Sequence, residues 1–549
     1  MRALLGRAVA ASSVVVLVVA CGGADEPGAS PRPRPPTRPS PEQGAAADRL
    51  LTGPDWYRHA VFYEVNVRSF QDSDGDGIGD LPGLVSRLDY LKDLGVDALW
   101  LMPINPSPFK DSGYDVADYG DVDKVYGGKP AFDVLVREAH ARKMRVMVDL
   151  VLNHTSDQHP WFQESRKDKT NPKADYYVWS DTDGRSDVAC GTYSAQFGTS
   201  AWAKDDQRGQ YYYHRFYPGQ PDLNYKNPAV VSAVLDAAKG WLDSGADGFR
   251  CDVIGLLVET ADPEQCSMAP ETQAIIRKLR ALLDTYPDRA MVAEPLLGDA
   301  RAYYGSGRDM FHMAFDFSYG YFWGVAFSAR SRKLVDVSMA QSAAFPEGAQ
   351  NALVIGSHDV QRAFTVASGH EWRQRRAAEI QLLRRGTPFV YYGEEVGLRP
   401  GAGVVVDSRD SARTPMTWAR GPGHGFTKGT PWLAFGPMAD ETSVEAEDRD
   451  PESMLTFYRS LLAFRRGRAV WSTGAERVVG LDTGSVVAFL REDGAERYLV
   501  AVSLSEEEVD AALVERPAGV AEVVWGDGAL GADGRLKLPA RGSAVFRLR

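Results

Sequence analysis

RVMVDLVLNH, residues 145–154, is an apolar run that closes on Asp149, Asn153 and His154. Three further stretches repeat its plan: GADGFRCDVI (245–254) carries Asp252, RAMVAEPLL (289–297) carries Glu294, and ALVIGSHD (352–359) ends in His358 and Asp359. Each is a short apolar run that meets an ionisable group where a strand would end. Parallel strands with their polar chemistry at the C-terminal ends are the plan of a (β/α)8 barrel.

Working outward, AVFYEVNVRSF (60–70) and VDALWLMPI (96–104) read as the first two strands, and HMAFDF (312–317) and PFVYYGEEVG (388–397) as the sixth and eighth. Helical stretches separate them, among them LPGLVSRLDYLKDLG (81–95) with Gly95 as its C-cap. Such alternation argues for a parallel barrel over a sandwich. The expected fold class is therefore α/β, a TIM barrel built from residues 53–154 and 226–467. Residues 155–225, rich in Tyr, Trp, Asp and Gly, make too long a connection for a plain barrel and are expected to form a small domain roofing the pocket. Residues 468–549 alternate and carry turns, as in VVGLDTGSVVAFLR (478–491), and are expected to form an antiparallel β domain.

The N-terminus reads as a leader. Arg2 and Arg7 precede the apolar run Ala8–Ala20, which is too short to span a bilayer and suits a signal peptide over residues 1–20. It ends Val18-Val19-Ala20-Cys21, similar to a bacterial lipobox, so Cys21 is the expected lipidation site. The chain would then be exported and held to the envelope by lipid alone. In a two-membrane cell the outer membrane is expected, and without acylation the protein would be secreted. Residues 21–52 are Pro-rich and low in apolar content, and read as an extended, disordered tether. Cys190 and Cys266 stand in loop-like stretches and are a candidate disulfide, whereas Cys251 reads as a buried thiol. A net charge of −12 argues against a nucleic-acid partner. Oligomeric state leaves no mark on the sequence.

The chemistry follows from residue types and spacing. Opening a glycosidic bond with retention needs two carboxyl groups, a nucleophile and an acid/base. Arg250 and Asp252 are two residues apart, so on a strand they share a face. The arginine would keep Asp252 ionised and aim it as the nucleophile. Glu294, at the end of the next strand, can act as acid and then base once its pKa is raised.

DLVLNH (149–154), QPDLN (220–224), GFRCDVI (248–254), AEP (293–295) and GSHD (356–359) together resemble the α-amylase superfamily, glycoside hydrolase family 13, in order and spacing. The resemblance runs from about residue 55 to the C-terminus. It implies Asp359 as a third acid that binds sugar hydroxyls, and His154 and His358 as hydrogen-bond partners of the sugar in the −1 site. In DSGYD (111–115) it implies Asp111 and Tyr114 as the floor of that site, with Tyr114 stacking on the sugar. In DSRDSARTPMTW (407–418) it implies Arg409 facing the substrate, with Arg413 as the alternative.

QPDLN, RTPMTW (413–418), GFTKGTPW (425–432) and DRDPESML (448–455) look like the oligo-1,6-glucosidase subgroup. Val253, directly after the nucleophile, is implied to favour α-1,6 over α-1,4 linkages, an effect on the order of 1–3 kcal/mol. In the same subgroup a loop matching Asp72-Ser73-Asp74-Gly75-Asp76-Gly77-Ile78-Gly79-Asp80 binds Ca²⁺ or Mg²⁺. Carried over, the ligands are Asp72, Asp74, Asp76, the Ile78 carbonyl and Asp80, a set of hard oxygens suited to a structural cation. No organic cofactor is expected. The expected activity is exo-acting cleavage of short α-gluco-oligosaccharides. DYYVWSDT (175–182) and GQYYYHRFYPGQPDLNYKNP (209–228) also look like trehalose synthases, so transglycosylation stays open. An α-1,4-active amylase or maltase and a non-catalytic glucan-binding protein are the remaining alternatives. Ser357, Cys251 and the short stretch GLLVETADPEQCSMAP (255–270) depart from the subgroup's pattern.

Overall fold

The computed structural model describes residues 40–183, 188, 190, 191, 198, 200–296, 299–401 and 408–549. Cys21, the leader and most of the tether lie outside them.

Eight parallel strands close a barrel: β1 (Phe62–Val65), β2 (Ala98–Leu101), β3 (Arg145–Val151), β4 (Gly248–Asp252), β5 (Ala290–Ala293), β6 (Met313–Asp316), β7 (Gln350–Leu353) and β8 (Thr387–Tyr391). Each pairs with its sequence neighbours, and β8 pairs with β1. Alternation along the strands sends one set of side chains inward. Phe62, Ala98, Met147, Ala290, Met313, Ala352 and Phe389 fill the interior with Trp100, Val292, Phe315 and Val354. Gly248 sits at the base of β4, where a Cβ would collide with the Ala290 carbonyl of β5. Two to four residues further along, the inward positions turn polar: Glu64, Asp149, Arg250 and Asp252 are buried with at most 6% exposure. The apolar layer below supports this polar layer above.

Residues 155–225 include a helix, Pro160–Ser165, and a three-stranded antiparallel sheet ordered Trp179–Ser180, Gln210–Tyr213, Trp202–Asp205. After the barrel, a five-stranded and a three-stranded antiparallel sheet enclose an apolar core of their own. This C-terminal domain docks on the barrel through Glu379, which accepts from Trp525 Nε1 at 2.9 Å and Ser543 Oγ at 2.8 Å.

The tether expected through residue 52 differs from the structure. Residues Pro41–Leu50 are a helix. Ser40 and Gln43 form a reciprocal capping box with Pro41 at the first turn, and three alanines follow. Composition hid this, because Pro, Ser and Ala also mark linkers. The helix is held by burial of Ala47 and by Asp48 on Lys143 at 2.8 Å.

Candidate active site

The register between β3 and β4 pairs Asp149 with Arg250 and Val151 with Asp252. Arg250 therefore sits between two strand-borne acids, and β5 delivers a third. Its Nη1 donates to Asp149 Oδ1 at 3.0 Å and to Asp252 Oδ1 at 2.5 Å, and its Nη2 lies 2.9 Å from Glu294 Oε2. The guanidinium is 1% exposed, so burial opposes its charge, but the surrounding carboxylates hold its pKa well above the ordinary value. Burial pushes Asp252 up to about 6 against the pull of Arg250. It pushes Glu294 up to about 7, with the charges of Asp252 and Asp359 adding to the rise. A nucleophile that ionises before its acid partner is the order a double displacement needs.

Val253 completes the contact. Its backbone is left-handed at φ +37°, a strained conformation for a β-branched residue. In that conformation its N–H donates to Glu294 Oε2 at 2.9 Å. Its side chain packs with Phe216 and Leu256, and Leu296 adds to the cluster.

Asp359 lies across the pocket at the end of the β7 segment. Burial raises its pKa, but His358 and then Arg409 and Arg413 outweigh this and hold it well below the usual range. His358 Nε2 is 2.9 Å from Asp359 Oδ2, and its Nδ1 lies 2.5 Å from Glu64 Oε1 on β1. Burial would lower His358, but these two carboxylates raise it to about 9, so both ring nitrogens carry protons. The Tyr114 ring stacks parallel to His358, with centroids 5.3 Å apart, and its hydroxyl donates to Asp149 at 2.9 Å. One face of the tyrosine expected to meet sugar is thus taken by His358.

The two candidate arginines part company. Arg409, 15% exposed, bridges Asp359 (2.7 Å) and Asp111. Arg413 is fully buried and donates to the His358 carbonyl (3.1 Å) and to Ser112 (2.6 Å). Asp111 also accepts from Gln220 of the roof at 2.9 Å. His154 is buried at 2% exposure, and its Nε2 has no hydrogen-bond partner among the described residues. Burial lowers its pKa to about 4, so it stays neutral.

The acidic loop places Asp72, Asp74 and Asp80 with ligand oxygens within 4.8 Å of one another. Asp76 falls outside that group, and its carboxylate accepts the Ile78 N–H at 2.7 Å. The loop is backed by the GFTKGTPW segment: Thr427 Oγ1 donates to Asp72 at 2.5 Å, and the Phe426 carbonyl accepts its N–H at 3.0 Å. Three clustered carboxylates fit a hard divalent cation. Cys190 and Cys266 form a disulfide with Cα atoms 5.7 Å apart, joining the roof to the loop after β4, and Cys251 is a buried free thiol.

Glu64 and Asp149 are the partners that motif reading left without a role. Both are acids inside apolar strand runs, which is the signal that marks them: a buried strand acid needs a cation, here His358 and Arg250.

Raised carboxylates around one buried arginine, with an ionised Asp359 beside them at the C-terminal mouth of a barrel, suit an enzyme acting on glycosidic bonds. Residues 64–474 match the alpha amylase catalytic domain, and the chain belongs to that family, as a glycosidase or transglycosylase. A trehalose synthase/amylase of Mycolicibacterium smegmatis is 38% identical over 499 residues, covering 83% of each chain. A probable alpha-glucosidase of Rhizobium meliloti is 36% identical over 553 residues, 90% of this chain and 97% of that one. An oligo-1,6-glucosidase of Heyndrickxia coagulans is 35% identical over 522 residues, 83% of this chain and 93% of that one. Among solved structures, the alpha-glucosyl transfer enzyme XgtA superposes with a TM-score of 0.81 at 33% identity, covering 91% of this chain and all of that one.

Proposed function

We propose that the protein opens α-glucosidic bonds of short gluco-oligosaccharides at the chain end, with α-1,6 linkages favoured. The observation that carries the reading is the single Arg250 guanidinium shared by Asp252, Glu294 and Asp149. In the first step an Asp252 oxygen attacks the anomeric carbon as the glycosidic C–O bond breaks. Glu294 gives its proton to the departing oxygen. In the second step Glu294, now a carboxylate, takes a proton from water or a sugar hydroxyl, whose oxygen displaces Asp252. Asp359, kept ionised by His358 and Arg409, stabilises the positive charge that develops on the sugar ring. His154 Nε2 and Arg409 hold sugar hydroxyls.

Val253, the motif stretches and the oligo-1,6-glucosidase relative support α-1,6 hydrolysis. A second reading, transfer of the glucosyl group to a sugar, draws support from the trehalose synthase relatives and XgtA. A proton NMR time course with equal isomaltose and maltose separates them. Loss of isomaltose with α-glucose appearing first supports hydrolysis. Loss of maltose with a growing trehalose signal would replace it with the second reading.

A structural Ca²⁺ or Mg²⁺ on Asp72, Asp74 and Asp80 belongs to the same proposal; it would neutralise the clustered carboxylates and pin the loop to residues 425–432. Attachment to the cell envelope through an acylated Cys21 is proposed from the leader. An unmodified Cys21 in the mass of the envelope form removes it.

A further inference from the structure

The loop between β4 and the helix Pro270–Leu283 starts at Val253, whose N–H holds the acid/base Glu294. Because Glu294 protonates the departing oxygen, the residues around it flank the aglycone sugar. Further along, this loop is fastened to the roof at two separate points. Glu259 meets Arg215 at 3.5 Å, with both side chains at most 5% exposed. Seven residues later Cys266 is bonded to Cys190 of the roof. Tyr213 lies between the two ties: its hydroxyl donates to the Cys190 carbonyl at 2.6 Å, and it packs in one apolar cluster with Cys190 and Cys266. Neither tie touches Asp252, Glu294 or Asp359. From the roof, Phe216, one residue from Arg215, packs against both Val253 at the start of this loop and the His154 ring.

An ion pair with both partners buried is a poor choice for stability alone, since desolvation offsets the attraction. Losing one partner is nevertheless expensive, so such a pair fixes geometry. The same loop carries a covalent tie a short distance on. Two unlike fastenings on one loop, both anchored in the roof, point to a wall whose position matters.

We infer that the Arg215–Glu259 pair and the Cys190–Cys266 disulfide form a clamp that positions the loop after β4, and with it the pocket for the aglycone sugar. Glu259, Arg215 and the two cysteines are positioning residues. The inference rests on the glucosidic activity proposed above.

The test compares two kinds of substrate. Isomaltose and maltose carry an aglycone sugar, whereas α-glucosyl fluoride carries none. Full-length enzyme is compared with Glu259→Gln and with the double variant Cys190→Ser/Cys266→Ser. The clamp predicts that kcat/KM for the better disaccharide falls at least about tenfold in each variant, mostly through KM, while kcat/KM for α-glucosyl fluoride stays within about twofold. Combining all three substitutions should cost less than the product of the separate losses, because both ties hold one loop. A uniform fall on both substrates, or no fall on the disaccharide in variants with cooperative melting, overturns the clamp and leaves the activity standing. If the double variant does not fold, Glu259→Gln decides alone. Wild-type enzyme inactive on all three substrates overturns the proposed activity and the clamp with it.

Discussion

Replacing Glu294 by Gln tests the acid/base assignment through its pH signature. Burial and the neighbouring charges of Asp252 and Asp359 move Glu294 from 4.5 to about 7, although Arg250 pulls the other way. At about 1.4 kcal/mol per pH unit, that is about 3 kcal/mol in favour of the protonated acid. Asp252 sits lower, at about 6. For the free enzyme, kcat/KM on a disaccharide should therefore rise through an acid limb near pH 6 and fall through an alkaline limb near pH 7. The two groups share Arg250, so the limbs belong to the pair and not to either residue alone. In Glu294→Gln no proton is available to the leaving oxygen. The value of kcat/KM should drop by about 10²–10⁴ at neutral pH, and the alkaline limb should vanish. On α-glucosyl fluoride, whose leaving group needs no proton, the loss should stay under about tenfold. Initial rates from pH 4.5 to 9 on both substrates provide the assay. An alkaline limb near pH 7 that survives in Glu294→Gln, or a fluoride loss as deep as the disaccharide loss, refutes the reasoning.

Asp252→Asn removes the proposed nucleophile and should lower kcat by about 10⁴-fold or more without loss of fold; retained activity in the purified variant would overturn its role. His358, raised from 6.5 to about 9, contributes stability that is full below pH 6.5 and lost as pH climbs through 9, on the order of 3 kcal/mol. Urea unfolding across that window should show the decline in wild type and a smaller one in Glu64→Gln, which lacks the carboxylate 2.5 Å from Nδ1; equal slopes would contradict the pairing. Chelation with EDTA should lower the melting temperature, and added Ca²⁺ or Mg²⁺ should restore it, whereas Asp72→Asn should be insensitive to both. Val253→Thr should raise maltose turnover relative to isomaltose by up to about tenfold, within what one side-chain change in a pocket can do; an unchanged ratio removes Val253 from linkage choice.

The barrel was legible because most strands are short apolar runs, with Asp252 and Glu294 at the ends of β4 and β5 and Asp359 six residues beyond β7. Alternation alone placed Arg250 and Asp252 on one face, which is how the structure holds them. Arg409 and Arg413 are four residues apart in a polar stretch, and only the folded chain separates the arginine that faces the pocket from the one buried beneath it. Pairings between distant segments were beyond periodicity: Glu64 reaches His358 across 294 positions, and Glu259 reaches Arg215 across 44. Their common sign, an unpartnered acid in an apolar context, says that a cation must be near but not which one.

Val253 teaches the complementary point. As a letter in the sequence it stands only for side-chain volume beside the nucleophile. In the structure its backbone is left-handed, its N–H donates to Glu294, and its side chain packs with Phe216 of the roof. The residue proposed to bear on linkage therefore also holds Glu294 through its backbone. Val253→Thr keeps the β-branch and exchanges one methyl for a hydroxyl, so a change in linkage choice would be assigned to that methyl. Glycine would release the backbone and the packing together, and its effect could not be assigned to either.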